Sequence, residues 1–454
     1  MSWVISLLVF SSIFAVIGSL IGGLSGLVPG LHPNTSAALL AGFPQLFTMF
    51  SLEGGGGPMA PVVASSTLVG CFLIGVLMGH SMTEIIPTAM LGVSDDETVV
   101  AQLPSQRLYG IGRPDLVIEA AVIGGIGAVA LFALIFIPTR FLMGQPVGLY
   151  SAMKPVMGFL LLGISAFVLL SSRGQKRLFL SVASFLLSGI LGLVVLTIQL
   201  PTQMTVSISG GIWPGDPSSF LLPAFSGFFA VPALLFSSGN KTESRCLFSS
   251  GERVRTPLGK PLLRSLIPSL LVGWIPGITN AYATSLVTIK RRAECRSIES
   301  SFQYLVTYSA TNVGGSLQSI VAMATIFRAR NGTLEAINDH FSNNVIGWFE
   351  GFEPPMAIIS FIWAACIAAV VGAWSCMFLG RRVLTGSSGK SFKVVRISMM
   401  TFILILVLWS SGPVGLLVLF TCFILGAWSL FKSAPRVHLM GFLLVPVIIY
   451  FLSN

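Results

Sequence analysis

Two short stretches interrupt long apolar runs with a Pro-Gly pair: GLVPGLHPNTS at residues 26–36 and GWIPGITN at residues 273–280. Proline lacks a backbone N–H and blocks the continuation of a helix, while glycine permits the sharp turn that follows. We therefore predict two broken, re-entrant helical hairpins, one within residues 3–50 and one within residues 264–288. The turns match at both glycines, at the proline and at the next apolar residue, which favours an internal duplication.

The composition places the chain in a membrane. Of its 454 residues 54% are apolar and 9% are charged, and the mean hydropathy is +0.88. A soluble domain carries about 25% charged residues. Since a bilayer offers backbone groups no hydrogen-bond partner, the apolar runs must be helices, and we predict an all-α, multi-pass protein of the cell membrane. The net charge of +10 comes from short Lys and Arg clusters between apolar runs, so we expect a lipid bilayer as partner and no nucleic acid.

The apolar runs outside the hairpins predict ten spans, five in each half. They lie near 61–79, 117–138, 156–170, 178–199 and 220–237, and then near 303–326, 355–379, 396–410, 413–430 and 437–452. Each half thus contains one hairpin and five spans, which predicts two transmembrane repeats over residues 1–240 and 241–454. An odd number of crossings per repeat inverts the second relative to the first. The Lys and Arg clusters agree, placing loop 80–116 inside and loop 328–354 outside.

The Pro-Gly turns are the predicted substrate site. A half-helix that starts inside the membrane presents free N–H groups and a partial positive charge, which suit an anion. Hydroxyl and amide side chains at these starts can bind anionic oxygens without burying a permanent charge. The predicted binding residues are Pro29, Gly30, His32, Asn34, Thr35 and Ser36 in the first turn, and Pro276, Gly277, Thr279 and Asn280 in the second.

Four titratable residues are candidates for coupling transport to an ion, Na⁺ or H⁺: His80, Glu84, Glu119 and Glu335. His80 and Glu84 are spaced to share one helix face as a proton relay; the alternative is an interfacial cap. For Glu119 and Glu335 the alternative is a membrane-edge salt bridge with Arg113 or Arg330. The run Asp95-Asp96-Glu97 is predicted to be a solvated turn. We expect no metal and no other cofactor, since no nucleotide-binding motif is present.

The two turns, together with QRLYGIGRPDLVIEAAVIGG at Gln106–Gly125, resemble the large membrane subunit, or permease, of the tripartite tricarboxylate transporters. In particular, the chain resembles a shorter, archaeal-type branch of that family. The resemblance implies a secondary transporter for a carboxylate, driven by an ion gradient. It also implies two partners, a small membrane subunit and an extracytoplasmic binding protein.

Other functions remain open from the sequence. A polyprenyl-phosphate lipid carrier translocase is the first alternative, since a helix N-terminus that accepts a carboxylate also accepts a phosphate. An intramembrane enzyme and a membrane receptor or scaffold belong to other classes. We predict no catalytic residues, because the four histidines do not form the HExxH motif of a membrane metalloprotease.

Overall fold

The computed structural model describes residues 2–28, 60–172, 174–197, 220–236, 256–288, 297–329, 331–339, 347–348, 351–386 and 389–453. Every regular element within these ranges is a helix, so the predicted all-α fold class is confirmed. The first Pro-Gly turn lies outside the described residues, and with it Pro29, Gly30, His32, Asn34, Thr35 and Ser36. The same holds for Arg330.

The described part of the first half contains ten α-helices. They are α1 (Ser2–Ser25), α2 (Ala60–Thr83), α3 (Ile85–Leu91), α4 (Gln102–Gly110), α5 (Pro114–Met143), α6 (Leu149–Met153), α7 (Met157–Leu170), α8 (Gln175–Thr197), α9 (Leu221–Phe225) and α10 (Val231–Phe236). Pro114 occupies the first position of α5, where its missing N–H costs no intrahelical hydrogen bond. A π-helical turn joins α9 to α10.

The described part of the second half contains seven α-helices. They are α11 (Gly259–Trp274), α12 (Asn280–Thr288), α13 (Ile298–Ile326), α14 (Gly332–Asp339), α15 (Met356–Gly386), α16 (Gly389–Phe431) and α17 (Gly441–Ser453). Ser297 caps α13, since its hydroxyl accepts a hydrogen bond from the Ser300 N–H at 3.1 Å. A 3₁₀ helix, Arg436–Met440, leads into α17.

Eight helices among the described residues are long and apolar enough to cross a bilayer. They are Trp3–Ser25, Ser66–Leu91, Pro114–Met143, Leu149–Leu170, Gln175–Leu196, Met356–Leu384, Lys393–Phe431 and Arg436–Ser453. The chain is therefore a multi-pass membrane protein.

This set differs from the ten predicted spans for physical reasons. The predicted spans 396–410 and 413–430 are the two helical segments of α16, which non-helical backbone at Gly412 (φ 63°, ψ −162°) separates just before Pro413. The predicted span 220–237 is a shorter apolar helix, Leu221–Phe236. The predicted span 303–326 is part of α13, which has 29 residues but many polar ones, most of them buried by protein. Conversely, α1 is long enough to span by itself.

α1 and α2 pack with their backbones in close contact. A Cβ atom on Gly22 would overlap the carbonyl oxygen of Val76, and one on Gly79 would overlap that of Ser19. Such small residues let helices approach in a bilayer, where apolar surface alone gives no preference for protein over lipid. This contact holds the end of α1, just before the first Pro-Gly turn, against the buried helix α2.

Long helices of one half pack against long helices of the other half. α5 of the first half packs along α13 of the second, and α15 of the second packs along α2 of the first. Within each half the helix that precedes the Pro-Gly sequence packs on the next long helix that the structure describes: α1 on α2, and α11 on α13. This pairing is compatible with the predicted duplication, while the inverted orientation of residues 1–240 and 241–454 stays a prediction.

The predicted loop 80–116 is largely helical. α2 continues to Thr83, α3 follows to Leu91, and α4 and the start of α5 occupy about half of the remainder. His80 and Glu84 consequently lie within the buried span Ser66–Leu91, with 2% and 5% of their surface exposed. That burial does not fit an interfacial cap.

Candidate functional site

The second Pro-Gly turn breaks the helix where the sequence predicted. α11 ends at Trp274, Ile275 is extended (φ −92°, ψ 118°) and Gly277 has φ 81°, a conformation that favours glycine. α12 then begins at Asn280. Thr279 and Asn280 are both buried, so this helix starts inside the protein. The first turn of a helix leaves N–H groups without intrahelical acceptors and carries a partial positive charge.

Asn280 joins this helix start to two other parts of the chain. Its Nδ2 donates to the Glu97 carboxylate at 2.9 Å and to Asn312 Oδ1 at 2.6 Å. Asn312 Nδ2 in turn donates to Glu84 Oε1 at 2.5 Å. Tyr308 donates its hydroxyl to the same oxygen at 3.0 Å. Tyr308 and Asn312 are one helical turn apart, so α13 presents both to Glu84 from one face.

His80 extends these contacts to the end of α1. Its Nε2 lies 3.6 Å from Glu84 Oε2, as expected for residues four apart on one helix face. Its Nδ1 lies 3.0 Å from the hydroxyl of Ser25, the last residue of α1. A continuous polar chain therefore runs Ser25–His80–Glu84–Asn312–Asn280. It connects the residue at the end of α1, shortly before the first Pro-Gly turn, with the residue that follows the second.

The acidic run at residues 95–97 lies against this polar chain. The prediction of a solvated turn is wrong, because Asp96 is 6% exposed and Glu97 binds Asn280. Asp95 Oδ1 closes the turn by accepting from the N–H groups of Glu97 and Thr98, at 3.1 and 2.7 Å. The negative charges of Asp95 and Glu97 both act on Glu84.

A small pocket opens beside the polar chain. Among the described residues it is lined by Gly26, Val28, His80, Glu84, Pro87, Thr88, Val93, Asp95 and Thr98. Its volume is about 10 Å³, close to the space that one water molecule requires. No group of three or more His, Cys, Asp or Glu side chains in the described ranges is arranged to hold a metal ion.

Arg436 holds the acidic turn in place from the far end of the chain. Its Nη2 donates to the Ser94 hydroxyl at 3.1 Å and to Gln102 Oε1, and its Nη1 donates to the Phe229 carbonyl at 3.3 Å. Gln102 also donates to the Gly92 carbonyl at 2.7 Å. The residues on either side of the 95–97 run are therefore tied to the C-terminal part of the fold.

Several buried polar atoms around the helix break have no hydrogen-bond partner within the part of the chain that the structure describes. They include Trp274 Nε1, Asn280 Oδ1, Thr284 Oγ1 and Gln318 Oε1. Gln318 lies directly against Gly273, since a Cβ atom added to that glycine would come within 2.6 Å of Gln318 Cβ. Buried polar atoms normally have partners, so this cluster is where a polar ligand or water would be accommodated.

Glu119 and Glu335 lie apart from the polar chain, and both are exposed. Arg113 forms an ion pair with Asp115 at 2.8 Å. The charge of Glu119 also attracts Arg113. The hydrogen bonds to Asp115 raise the pKa of Arg113. Of the four predicted coupling residues, the structure therefore places only His80 and Glu84 next to the second Pro-Gly turn.

Sequence reasoning missed four residues of this site: Glu97, Tyr308, Asn312 and Arg436. A signal existed for two of them, because Tyr308 and Asn312 recur at helical spacing within an apolar predicted span. No local pattern marks Glu97 or Arg436, whose partners are distant in sequence.

The fold and the site together define a multi-pass helical membrane protein built around an interrupted helix, an arrangement used by secondary transporters. The chain belongs to the tripartite tricarboxylate transporter TctA family, which matches residues 13–441. This match confirms the resemblance seen in the sequence and spans both Pro-Gly turns and the whole polar chain. The protein is thus a membrane component of a transport system and not an enzyme.

A relative of this chain is an uncharacterized protein of Methanocaldococcus jannaschii. The two are 24% identical over 399 residues, which cover 84% of this chain and 88% of the relative. No solved structure matches the chain significantly.

Proposed function

We propose that this protein carries an anionic organic substrate, a carboxylate, across the membrane by alternating access, with the substrate held at the start of α12. The observation that carries the proposal is the 2.9 Å hydrogen bond from Asn280 to Glu97. A carboxylate of the protein itself already occupies the donor at a buried helix N-terminus. A substrate carboxylate would compete with Glu97 for the same groups.

The chain offers further groups around that position. Pro276 and Gly277 end α11 and let the backbone turn, Thr279 and Asn280 supply side chains, and Gln318 and Thr284 add buried polar atoms that lack partners among the described residues. The first turn, with Pro29, Gly30, His32, Asn34, Thr35 and Ser36, is proposed to contribute from the other hairpin. The polar chain supports this because it begins at Ser25, close before that turn.

Charge near the site supports coupling to a cation gradient. Glu84, Asp95 and Glu97 are close enough to influence one another, so an entering anion would meet negative charge. Two like charges 4 Å apart repel by about 4 kcal/mol at an effective dielectric constant near 20. A cation, Na⁺ or H⁺, that enters with the substrate removes much of this repulsion, which favours symport.

The family name describes a tripartite system. We extend the proposal to its other components: a small membrane subunit beside this chain and an extracytoplasmic binding protein that delivers the substrate. Both would be identified by whether they raise the uptake rate of proteoliposomes that contain this chain.

The test is uptake of labelled citrate or succinate by proteoliposomes under an imposed Na⁺ or pH gradient. Wild type should accumulate a carboxylate, while Thr279→Val and Asn34→Leu should each lower the uptake rate about tenfold. That factor corresponds to the binding free energy of one hydrogen bond to an anion. Thr311→Val is the matched control, because Thr311 is buried on α13 and its hydroxyl donates to the Thr307 carbonyl of its own helix. Full uptake by both variants, or transport of a polyprenyl phosphate in place of any carboxylate, would refute the proposal.

A further inference from the structure

We propose that His80 and Glu84 form a proton-binding site and that the coupling ion of this protein is the proton rather than Na⁺. The proposal deepens the proposed function, and it rests on that function only for the response of a bound substrate. It is carried by the partners of both ring nitrogens of His80 and by the pocket that reaches them.

His80 is 2% exposed, yet its Nδ1 has a hydrogen-bonding partner and its Nε2 faces a carboxylate at ion-pair distance. Nδ1 lies 3.0 Å from the Ser25 hydroxyl, and Nε2 lies 3.6 Å from Glu84 Oε2. A neutral imidazole has one donor and one acceptor nitrogen, whereas an imidazolium has two donors. The partner at Nδ1 must therefore donate a hydrogen bond in the neutral state and accept one in the protonated state.

Ser25 can serve both states without movement of any heavy atom. Its hydroxyl lies 3.0 Å from His80 Nδ1 and 2.9 Å from the Gly22 carbonyl. With a neutral imidazole protonated on Nε2, the hydroxyl donates to Nδ1. When a proton adds to the Nδ1 lone pair, Ser25 accepts from the new N–H and turns its own hydrogen to Gly22. The only bond made is N–H, and the same bond breaks on release.

Glu84 supplies the negative charge that an imidazolium needs inside a membrane, where an unpaired charge is costly. Its other oxygen, Oε1, is held by Tyr308 and Asn312, so Oε2 stays directed at His80. Among the described residues, Asp95 and Glu97 from the acidic turn also act on Glu84 through their negative charges. Together these charges favour the protonated ring.

The pocket beside the pair suits a proton better than a metal cation. Its volume is about 10 Å³, room for about one water molecule that could deliver the proton. Hard cations take several oxygen ligands, and no group of three or more His, Cys, Asp or Glu side chains within the described part of the chain is arranged to hold such an ion. Imidazole nitrogen, in contrast, binds a proton near neutral pH. No Lys or Arg occurs among the described residues that line this pocket.

The site is connected to the proposed substrate position. Glu84 Oε1 binds Asn312, and Asn312 binds Asn280 at the start of α12. A change in charge at His80 and Glu84 therefore reaches the substrate position through two hydrogen bonds. Asn312 acts in this scheme as a positioning residue.

The first measurement uses no substrate. Protein labelled with ¹⁵N-histidine in lipid nanodiscs gives signals from only four histidines, and His80→Gln identifies those of His80. We expect the His80 ring nitrogens to titrate between about pH 5 and 8, the range in which histidine changes charge. Glu84→Gln should hold about tenfold less imidazolium at a given pH, because the opposite charge is gone. Glu299→Gln, which removes an exposed carboxylate, should match wild type.

If His80→Gln does not fold, Ser25→Ala is used in its place to identify the His80 signals. That variant removes the partner of Nδ1 with little change in volume, so it should perturb the His80 signals alone and reduce the imidazolium population. A His80 ring that keeps one protonation state throughout this pH range, or that titrates as in wild type in both Ser25→Ala and Glu84→Gln, would overturn the proton site.

The second measurement distinguishes the coupling ions. Proteoliposomes that contain a pH-sensitive dye should acidify when a carboxylate enters from Na⁺-free buffer, and Glu84→Gln should abolish this acidification. Carboxylate uptake that needs Na⁺ and moves no proton would overturn this inference and leave the proposed function standing. Titration of His80 without carboxylate transport would refute the proposed function and leave the proton site standing.

Discussion

Asn280, the first residue of α12, donates a 2.9 Å hydrogen bond to Glu97, which lies 183 residues earlier in the chain. Through this bond the acidic turn at residues 95–97, in the first half of the chain, contacts the break between α11 and α12 in the second half. It also places a negative charge where the partial positive charge of a helix N-terminus is greatest. Glu97 thereby occupies the position that we propose for the carboxylate of the substrate.

Replacing Glu97 should strengthen substrate binding. Glu97→Gln removes the competing carboxylate and one negative charge near the entering anion, so we expect the affinity for a carboxylate to rise by about tenfold, or 1.4 kcal/mol. Titration calorimetry of the purified protein measures this change. Glu119→Gln removes an equal charge from an exposed position and should leave the affinity unchanged. Equal or weaker binding by Glu97→Gln would contradict the competition.

Removing Asn312 should uncouple substrate uptake from the driving ion. Asn312→Leu breaks both the bond to Glu84 and the bond to Asn280 while keeping similar volume on α13. We expect uptake to lose its dependence on the cation gradient, with counterflow of substrate retained. Thr311→Val, one residue away and bonded to Thr307 of the same helix, is the control. Gradient-driven accumulation by Asn312→Leu at the wild-type level would show that coupling takes another route.

Replacing Arg436 should destabilise the acidic turn. Arg436→Leu leaves Ser94, Gln102 and the Phe229 carbonyl without their charged donor. Hydrogen bonds to charged groups each contribute about 1.5–3 kcal/mol, so the melting temperature in detergent should fall clearly. Arg382→Leu, which removes an exposed guanidinium from α15, should change it little. Unchanged stability of Arg436→Leu would mean that the turn is held by other contacts.

Adding a methyl group to Gly22 should loosen the packing of α1 on α2. A Cβ atom there overlaps the Val76 carbonyl, and overpacking of this kind costs about 1–3 kcal/mol. Thermal unfolding should therefore show a lower midpoint for Gly22→Ala. Gly163→Ala on α7 is the control, since a Cβ atom at Gly163 meets no atom within 4 Å. A midpoint equal to that of the control would exclude close helix contact at Gly22.

The sequence predicted the all-α membrane fold and the break at Pro276-Gly277, because both follow from local chemistry. It also paired His80 with Glu84, since helical spacing is local. It was wrong about residues 95–97, where polarity alone suggested solvent and the structure shows a partly buried contact with Asn280. It also proposed Glu119 and Glu335 as coupling residues, and the tertiary structure leaves both exposed.

What the amino-acid sequence determined by itself is the class of the protein, since a bilayer admits few backbone structures and proline and glycine act on their immediate neighbours. What only the tertiary structure decided is the polar chain. Glu84 and Asn312 are 228 residues apart, and nothing near either residue specifies the other. Their contact exists because close helix packing brings α2 and α13 together in the middle of the bundle, where buried polar groups must find partners in each other.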